Sequence, residues 1–361
     1  MLSRAAITAI SFLLIATLYG QGPTASKPTS PAPAPSATPT TQQIVDSLGQ
    51  ADLQAALAAL KSNFTNPDAL SETELNRATL TGLLVRMPGG LLFMPSKESG
   101  ATEPPLPFYS EIFENHIGYL RLSALDGANL KELDKRLQEF GQKKVDALII
   151  DLRASSAGDF SSAAEFAKRF CSKGKALFSV HKPGTRQDRQ FTSDRDPSFQ
   201  GLMVLLVDND TGGGAEAFAA AVRLYNKALV IGQTSAGRAV EYSDLPLPSG
   251  KTLRVASADA VLPDGQSLFP GGVKPDLPVE MSIAEKRQIF RQSGEKGMAQ
   301  FVYETERPHL NEAALIAGTN PELEIPDAQR RTRARSAQAP RDSVVQRALD
   351  VVTSLEVYQK R

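Results

Sequence analysis

Between Val207 and Tyr242 the sequence VDNDTGGGAEAFAAAVRLYNKALVIGQTSAGRAVEY gathers residues whose types could do chemistry. Thr211 and Ser235 carry hydroxyls, and Ser155 and Ser156 stand on an earlier loop. A hydroxyl becomes a nucleophile only beside a base, such as histidine or a neutral lysine. No histidine lies at a suggestive spacing from any of them, and the cation of Ser235-Ala236-Gly237-Arg238 is an arginine. A guanidinium stays protonated and cannot serve as the base. Gly212-Gly213-Gly214 lies between an apolar run and a helical pattern. Backbone N–H groups at a helix start attract anions, but the lysine and hydroxyl of a phosphate loop are missing here. His116, His181 and His309 are far apart and show no metal-ligand spacing. With Cys171 as the single cysteine, neither an internal disulfide nor a thiolate-built zinc site is available. Cys171 follows a helical pattern and is expected to be buried rather than reactive.

The elements that must hold these residues alternate. Ile117–Leu122 reads as a strand and Asn129–Phe140 as an amphipathic helix. Val145–Asp151, Leu202–Val207 and Ala228–Gly232 are apolar on both faces, the pattern of buried parallel strands. Helices are expected at Phe160–Phe170 and Ala215–Leu224, giving an α/β core. Val240–Leu262 reads as a hairpin turning at Pro248-Ser249-Gly250. Upstream, one helix is expected over Gln43–Leu60 and a second over Glu72–Met87, with Ser71 and Glu74 as a capping box. Asp342–Tyr358 should form a last helix presenting Val345, Leu349, Val352 and Leu355.

Several segments, in this order, resemble the tail-specific, or C-terminal-processing, serine peptidases. Ile117-Gly118-Tyr119-Leu120-Arg121-Leu122 is similar to that family's GYIRL strand. Leu148–Arg153 with Ala154–Gly158 resembles its LILDLRNNPGG. Val207–Tyr242 is similar to its strand, Ser-Ala-Ser-Ala-Ser-Glu, helix and RALVVG strand, without a gap. Gly272-Val273-Lys274-Pro275-Asp276 resembles its closing motif. The resemblance covers roughly residues 70–280 and the final helix. It implies an α/β, crotonase-like β/α spiral core with an N-terminal helical element and a C-terminal helix. The family's PDZ module has no room between Met87 and Ile117, since such a domain needs ~80–100 residues.

The resemblance also implies a mechanism that this chain departs from. In the family a serine attacks the peptide carbonyl, a neutral lysine takes its proton, and backbone N–H groups hold the oxyanion. Glu216 anchors the register. Thr211 then matches the first serine, and Gly213 falls on the nucleophile. Arg238 falls on the lysine, and Tyr242 on the supporting glutamine. Gly158 and Gly214 retain the backbone of the oxyanion side. The implied reading is a pseudopeptidase that binds polypeptide in the former substrate groove through Gly158, Gly213, Gly214 and Arg238. The alternative is an active serine-type endopeptidase with a relocated nucleophile. Because the family lysine reaches the serine, Arg238 should approach the Gly212–Gly214 turn. There it either binds a carboxylate or pairs internally with Asp159, Glu216 or Glu241.

Forty basic and forty acidic residues among 361 give a net charge of zero, which argues against a nucleic-acid partner. No cofactor is expected. The expected partner is a polypeptide or a peptide C-terminus, with an active protease or an envelope protein as further candidates. Arg4 followed by the apolar run Ala5–Tyr19 reads as a secretory signal within residues 1–22. This places the mature chain in the periplasm or outside the cell. Residues 23–41 hold six prolines among Ala, Ser and Thr and should form an extended tether. The remaining organisation is expected as a helical element over 42–110, the core over 111–285, and a C-terminal helical segment over 286–361. In that last segment Arg330, Arg331, Arg333, Arg335 and Arg341 are expected on a mobile, solvated loop, with a surface-binding patch as the alternative.

Overall fold

The computed structural model describes residues 40–94, 106–156, 158–185, 188–226, 228–303 and 340–359. The expected signal, most of the tether and the arginines at 330, 331, 333 and 335 lie outside the described residues. The chain divides into two units, Met1–Ser71 and Glu72–Arg361.

In the first unit the single helix expected over Gln43–Leu60 is two, α1 (Thr41–Ser47) and α2 (Gln50–Asn63). Thr40 and Gln43 close a capping box on α1, and Leu48 ends it in extended backbone. Gly49, also extended, opens α2. Leucine spacing reads through this break because Leu48 keeps the period while its backbone leaves the helix. No residue of α2 is buried.

The second unit opens with α3 (Glu72–Arg86), and two sheets follow. The larger is built on β2 (Tyr109–Phe113), β3 (Ile117–Arg121), β4 (Ala147–Asp151), β7 (Leu202–Val207), β8 (Leu229–Gly232) and β11 (Leu277–Pro278), in the order β11-β8-β7-β4-β3-β2. All its pairings are parallel except that of β2 with β3. The second sheet is built from β1 (Leu91–Met94), β5 (Ala176–His181), β6 (Arg189–Thr192), β9 (Val240–Pro246) and β10 (Thr252–Val261), all antiparallel. Its β9–β10 hairpin turns where Pro248-Ser249-Gly250 predicts. The helical element expected over 42–110 therefore ends at Arg86. Leu91–Met94 and Tyr109–Phe113 are strands, too short to show a period of their own.

Both faces of the parallel sheet are covered, which is why β4 and β7 are apolar throughout. Leu148, Ile150, Leu152, Met203, Leu205 and Val207 face α4 (Gly127–Gln142), α5 (Phe160–Ala167) and α6 (Gly214–Asn226). Ala147, Ile149, Val204 and Leu206 face α7 (Ile283–Lys296) and α8 (Ser343–Gln359). Alternate residues of each strand thus serve alternate layers. The alanines of α5 and α6 bring these helices close, and Cys171 packs beside them, fully buried. Burial pushes its thiol up to about 12, so it is inert at neutral pH. Among the described residues, no helix is long and apolar enough to cross a membrane.

Candidate active site

Ligand sites of parallel sheets form where the carboxyl ends of the strands open into loops. Three such loops meet here, after β4, β7 and β8, and backbone bonds tie them together. Gly212 N donates to Ser155 O at 3.0 Å, and Ala236 N to Thr211 O at 2.8 Å. The Thr211 hydroxyl donates to Leu152 O at 2.9 Å and accepts from Asp208 N at 3.1 Å.

Glu216 organises the centre. It is fully buried in the first turn of α6, and its carboxylate accepts four bonds. They come from Ser235 Oγ at 2.5 Å, Gly237 N at 2.6 Å, Arg238 N at 2.8 Å and Gly213 N at 3.2 Å. Burial raises its carboxyl above the usual range, and these four donors draw it only partly back.

The turn that should hold a nucleophile is glycine by geometry as well as by sequence. Gly213 sits at φ +62, in the left-handed region. A Cβ there would meet nothing closer than 3.9 Å, so a side chain has room but carries backbone strain. Gly214 is the reverse case. Its Cβ would stand 2.9 Å from Asp159 O and 3.0 Å from Gly158 O, so the start of α6 fits against the start of α5 only without a side chain.

Arg238 lies across this turn. A Cβ on Gly212 would stand 3.4 Å from both Nε and Nη2 of the guanidinium, and a Cβ on Gly89 would stand 3.2 Å from its Cγ. The internal pairings considered for it do not form. Glu216 takes the backbone N–H of Arg238 rather than its guanidinium, Asp159 caps α5 through Ser162 N, and Glu241 pairs with Arg189. The half-buried guanidinium has no carboxylate partner among the described residues. Tyr242 is close by, and its hydroxyl donates to Gly89 O at 2.8 Å.

The loops thus bring together Gly158, Gly213, Gly214 and Arg238, with Tyr242 beside them. The hydroxyls considered as relocated nucleophiles are held unequally. Thr211 and Ser235 spend their protons on Leu152 O and Glu216, and Ser155 is fully buried. Ser156 alone among these hydroxyls is exposed.

Sequence reasoning missed a lysine beside these loops. Lys286 of α7 is buried, and its Nζ donates to Arg153 O at 2.7 Å, to Asp210 at 2.8 Å and to Asp208. These three acceptors match the three N–H groups of an ammonium and tie α7 to the loops after β4 and β7. A concavity of about 440 Å³ between α4, α5 and β6 contains none of these residues.

Residues 116–279 match the profile of Peptidase family S41. The carboxy-terminal processing protease CtpA of Bacillus subtilis (strain 168) is 26% identical over 181 residues, which is 50% of this chain and 38% of that protein. The carboxyl-terminal-processing protease of Synechocystis sp. (strain ATCC 27184 / PCC 6803 / Kazusa) is 24% identical over 173 residues, 48% of this chain and 40% of that one. The chain therefore spans about two fifths of the length of these relatives. In fold it is similar to a putative peptidase from Parabacteroides merdae ATCC 43184, with a TM-score of 0.50 and 16% identity. That likeness covers 67% of this chain and 85% of the other. The fold is the mixed α/β, crotonase-like one that the motifs imply, and the segment that builds the site lies within the residues that match Peptidase family S41.

Proposed function

We propose that this chain is an exported pseudopeptidase, a protein that holds polypeptide at the loop junction of Gly158, Gly213, Gly214 and Arg238 without cutting it. The observation that carries the reading is the pairing of a side-chain-free turn at Gly213 with a guanidinium that lies over Gly212 and has no carboxylate partner among the described residues. A glycine supplies no nucleophile and an arginine no base. A half-buried guanidinium not engaged by a carboxylate of the described residues does supply a receptor for one. The ligand in this reading is a peptide C-terminus. The engagement of Thr211 and Ser235 in the loop framework weighs against an active enzyme with a relocated nucleophile.

The test is hydrolysis of unfolded protein and of C-terminal peptides by the full chain. Wild type should show no turnover. Gly213→Ser/Arg238→Lys should gain it by about 10²-fold over background, the lower end of what a positioned general base contributes. Wild-type turnover, with a fluorophosphonate probe mapping to Ser156 or another serine, would refute the pseudopeptidase reading.

Binding is tested separately. Peptides with a free C-terminus should bind at least about tenfold tighter than their C-terminal amides, and Arg238→Ala should erase that difference, as expected for one charge-assisted contact. Equal affinity of acid and amide for wild type would remove the carboxylate from the proposal.

A further inference from the structure

At the opposite end of the parallel sheet, three elements distant in sequence bring a histidine and two carboxylates together. His116 lies in the β2–β3 turn, Asp146 just before β4, and Glu356 on α8. One ligand atom from each lies within 4.8 Å of the others. His116 Nδ1 lies 2.6 Å from Glu114 O, a carbonyl that can only accept, so Nδ1 carries a proton. Nε2 then faces Glu356 Oε2 at 3.0 Å. In the neutral ring these are two lone pairs directed at each other, and a positive charge between them is required.

A proton on Nε2 would satisfy Oε2 alone. It would leave Glu356 Oε1, a buried atom with no hydrogen-bond partner among the described residues, still unsatisfied. The Asp146 carboxylate is exposed to solvent, makes no hydrogen bond among the described residues, and lies within reach of the other two groups. A divalent cation answers all three groups at once. An imidazole whose far N–H is fixed by a backbone carbonyl is the usual arrangement of a metal-ligating histidine.

We propose that His116 Nε2, Asp146 and Glu356 bind a divalent first-row transition ion, with water completing the shell. One nitrogen and two carboxylates match zinc-type sites better than calcium or magnesium, which prefer oxygen alone. The ion would pin the last turns of α8 to the strand ends of the sheet. It takes no part in chemistry at the loop junction.

The experiment uses the full chain, freed of any polyhistidine tag and stripped with chelator. Zn²⁺ is titrated by calorimetry, and Co²⁺ is followed by its visible absorption. One equivalent of Zn²⁺ should bind, and the melting temperature should rise with added Zn²⁺ and fall back with EDTA. His116→Ala and the near-isosteric Glu356→Gln should each weaken binding at least tenfold, while Cys171→Ser should leave it unchanged. Absence of Zn²⁺ uptake would overturn the site, as would uptake that the His116 and Glu356 variants leave intact.

Discussion

Glu216→Ala is expected to lower the unfolding free energy by about 3–4 kcal/mol, the scale set by several buried donors losing their acceptor at ~1–3 kcal/mol each with partial relaxation. The four donors it would abandon are Ser235 Oγ and the N–H groups of Gly213, Gly237 and Arg238. Those groups span all that positions Arg238 over the Gly212–Gly214 turn. Loss of stability should therefore come with loss of peptide binding. Glu216→Gln keeps an accepting oxygen but turns an N–H₂ toward one pair of donors, so it should fall between the two. Urea unfolding of wild type, Glu216→Gln and Glu216→Ala checks this order. A Glu216→Ala midpoint equal to wild type would mean that water replaces the carboxylate and that Glu216 is not the organiser.

The second large effect lies on the other face of the sheet. Arg153, fully buried, pairs with Asp151 at 2.6 Å and with Asp342 at 2.8 Å, and the Tyr119 hydroxyl donates to Asp151 at 2.7 Å. Asp342 also accepts from Val345 N at 3.0 Å, capping α8. Asp342→Ala is expected to cost about 3–5 kcal/mol, because it leaves part of a buried charge uncompensated. The same network gives a pH dependence. Burial alone would raise the Asp151 carboxyl, but the charge and hydrogen bonds of Arg153, with the Tyr119 hydroxyl, outweigh it and hold the carboxyl below its usual range. Its contribution is therefore complete above the unfolded value of ~3.9 and is lost as pH falls through the lower native value. Urea midpoints between pH 6 and pH 2.5 should drop at the acid end more steeply in wild type than in Asp151→Asn. Parallel profiles would show that Asp151 is not part of the acid response.

The parallel strands and the helices between them were legible because their burial is two-sided and apolar. Val145–Asp151 and Leu202–Val207 leave no polar face to misplace. α7 was not legible, and the reason is specific. Its inward face consists of Lys286, Ile289, Phe290 and Ser293, so two of the four buried residues are polar and the hydrophobic period disappears. What makes those polar residues tolerable is Arg153, Asp208 and Asp210 on one side and Arg121 on the other, partners scattered over the chain. The candidate site was legible in its departures, Gly213 and Arg238, through the register that Glu216 sets. The role of Glu216 itself was not, since its four bonds run to backbone and to one serine hydroxyl, and backbone has no signature in side-chain spacing. The His116, Asp146 and Glu356 cluster was equally hidden, with 240 positions between its first and last members.

The position of α8 bears on how the molecule is made. Val345, Ala348, Leu349 and Val352 cover Ile149 and Val204, and Asp342 neutralises Arg153, yet all of them follow the sheet in the chain. A ribosome delivers the strands first. Until the stretch around 342–352 has emerged, the part of that apolar face not covered by α7 stays open, and Arg153 has Asp151 but lacks Asp342. That face of the sheet therefore closes only after the stretch around 342–352 has left the ribosome.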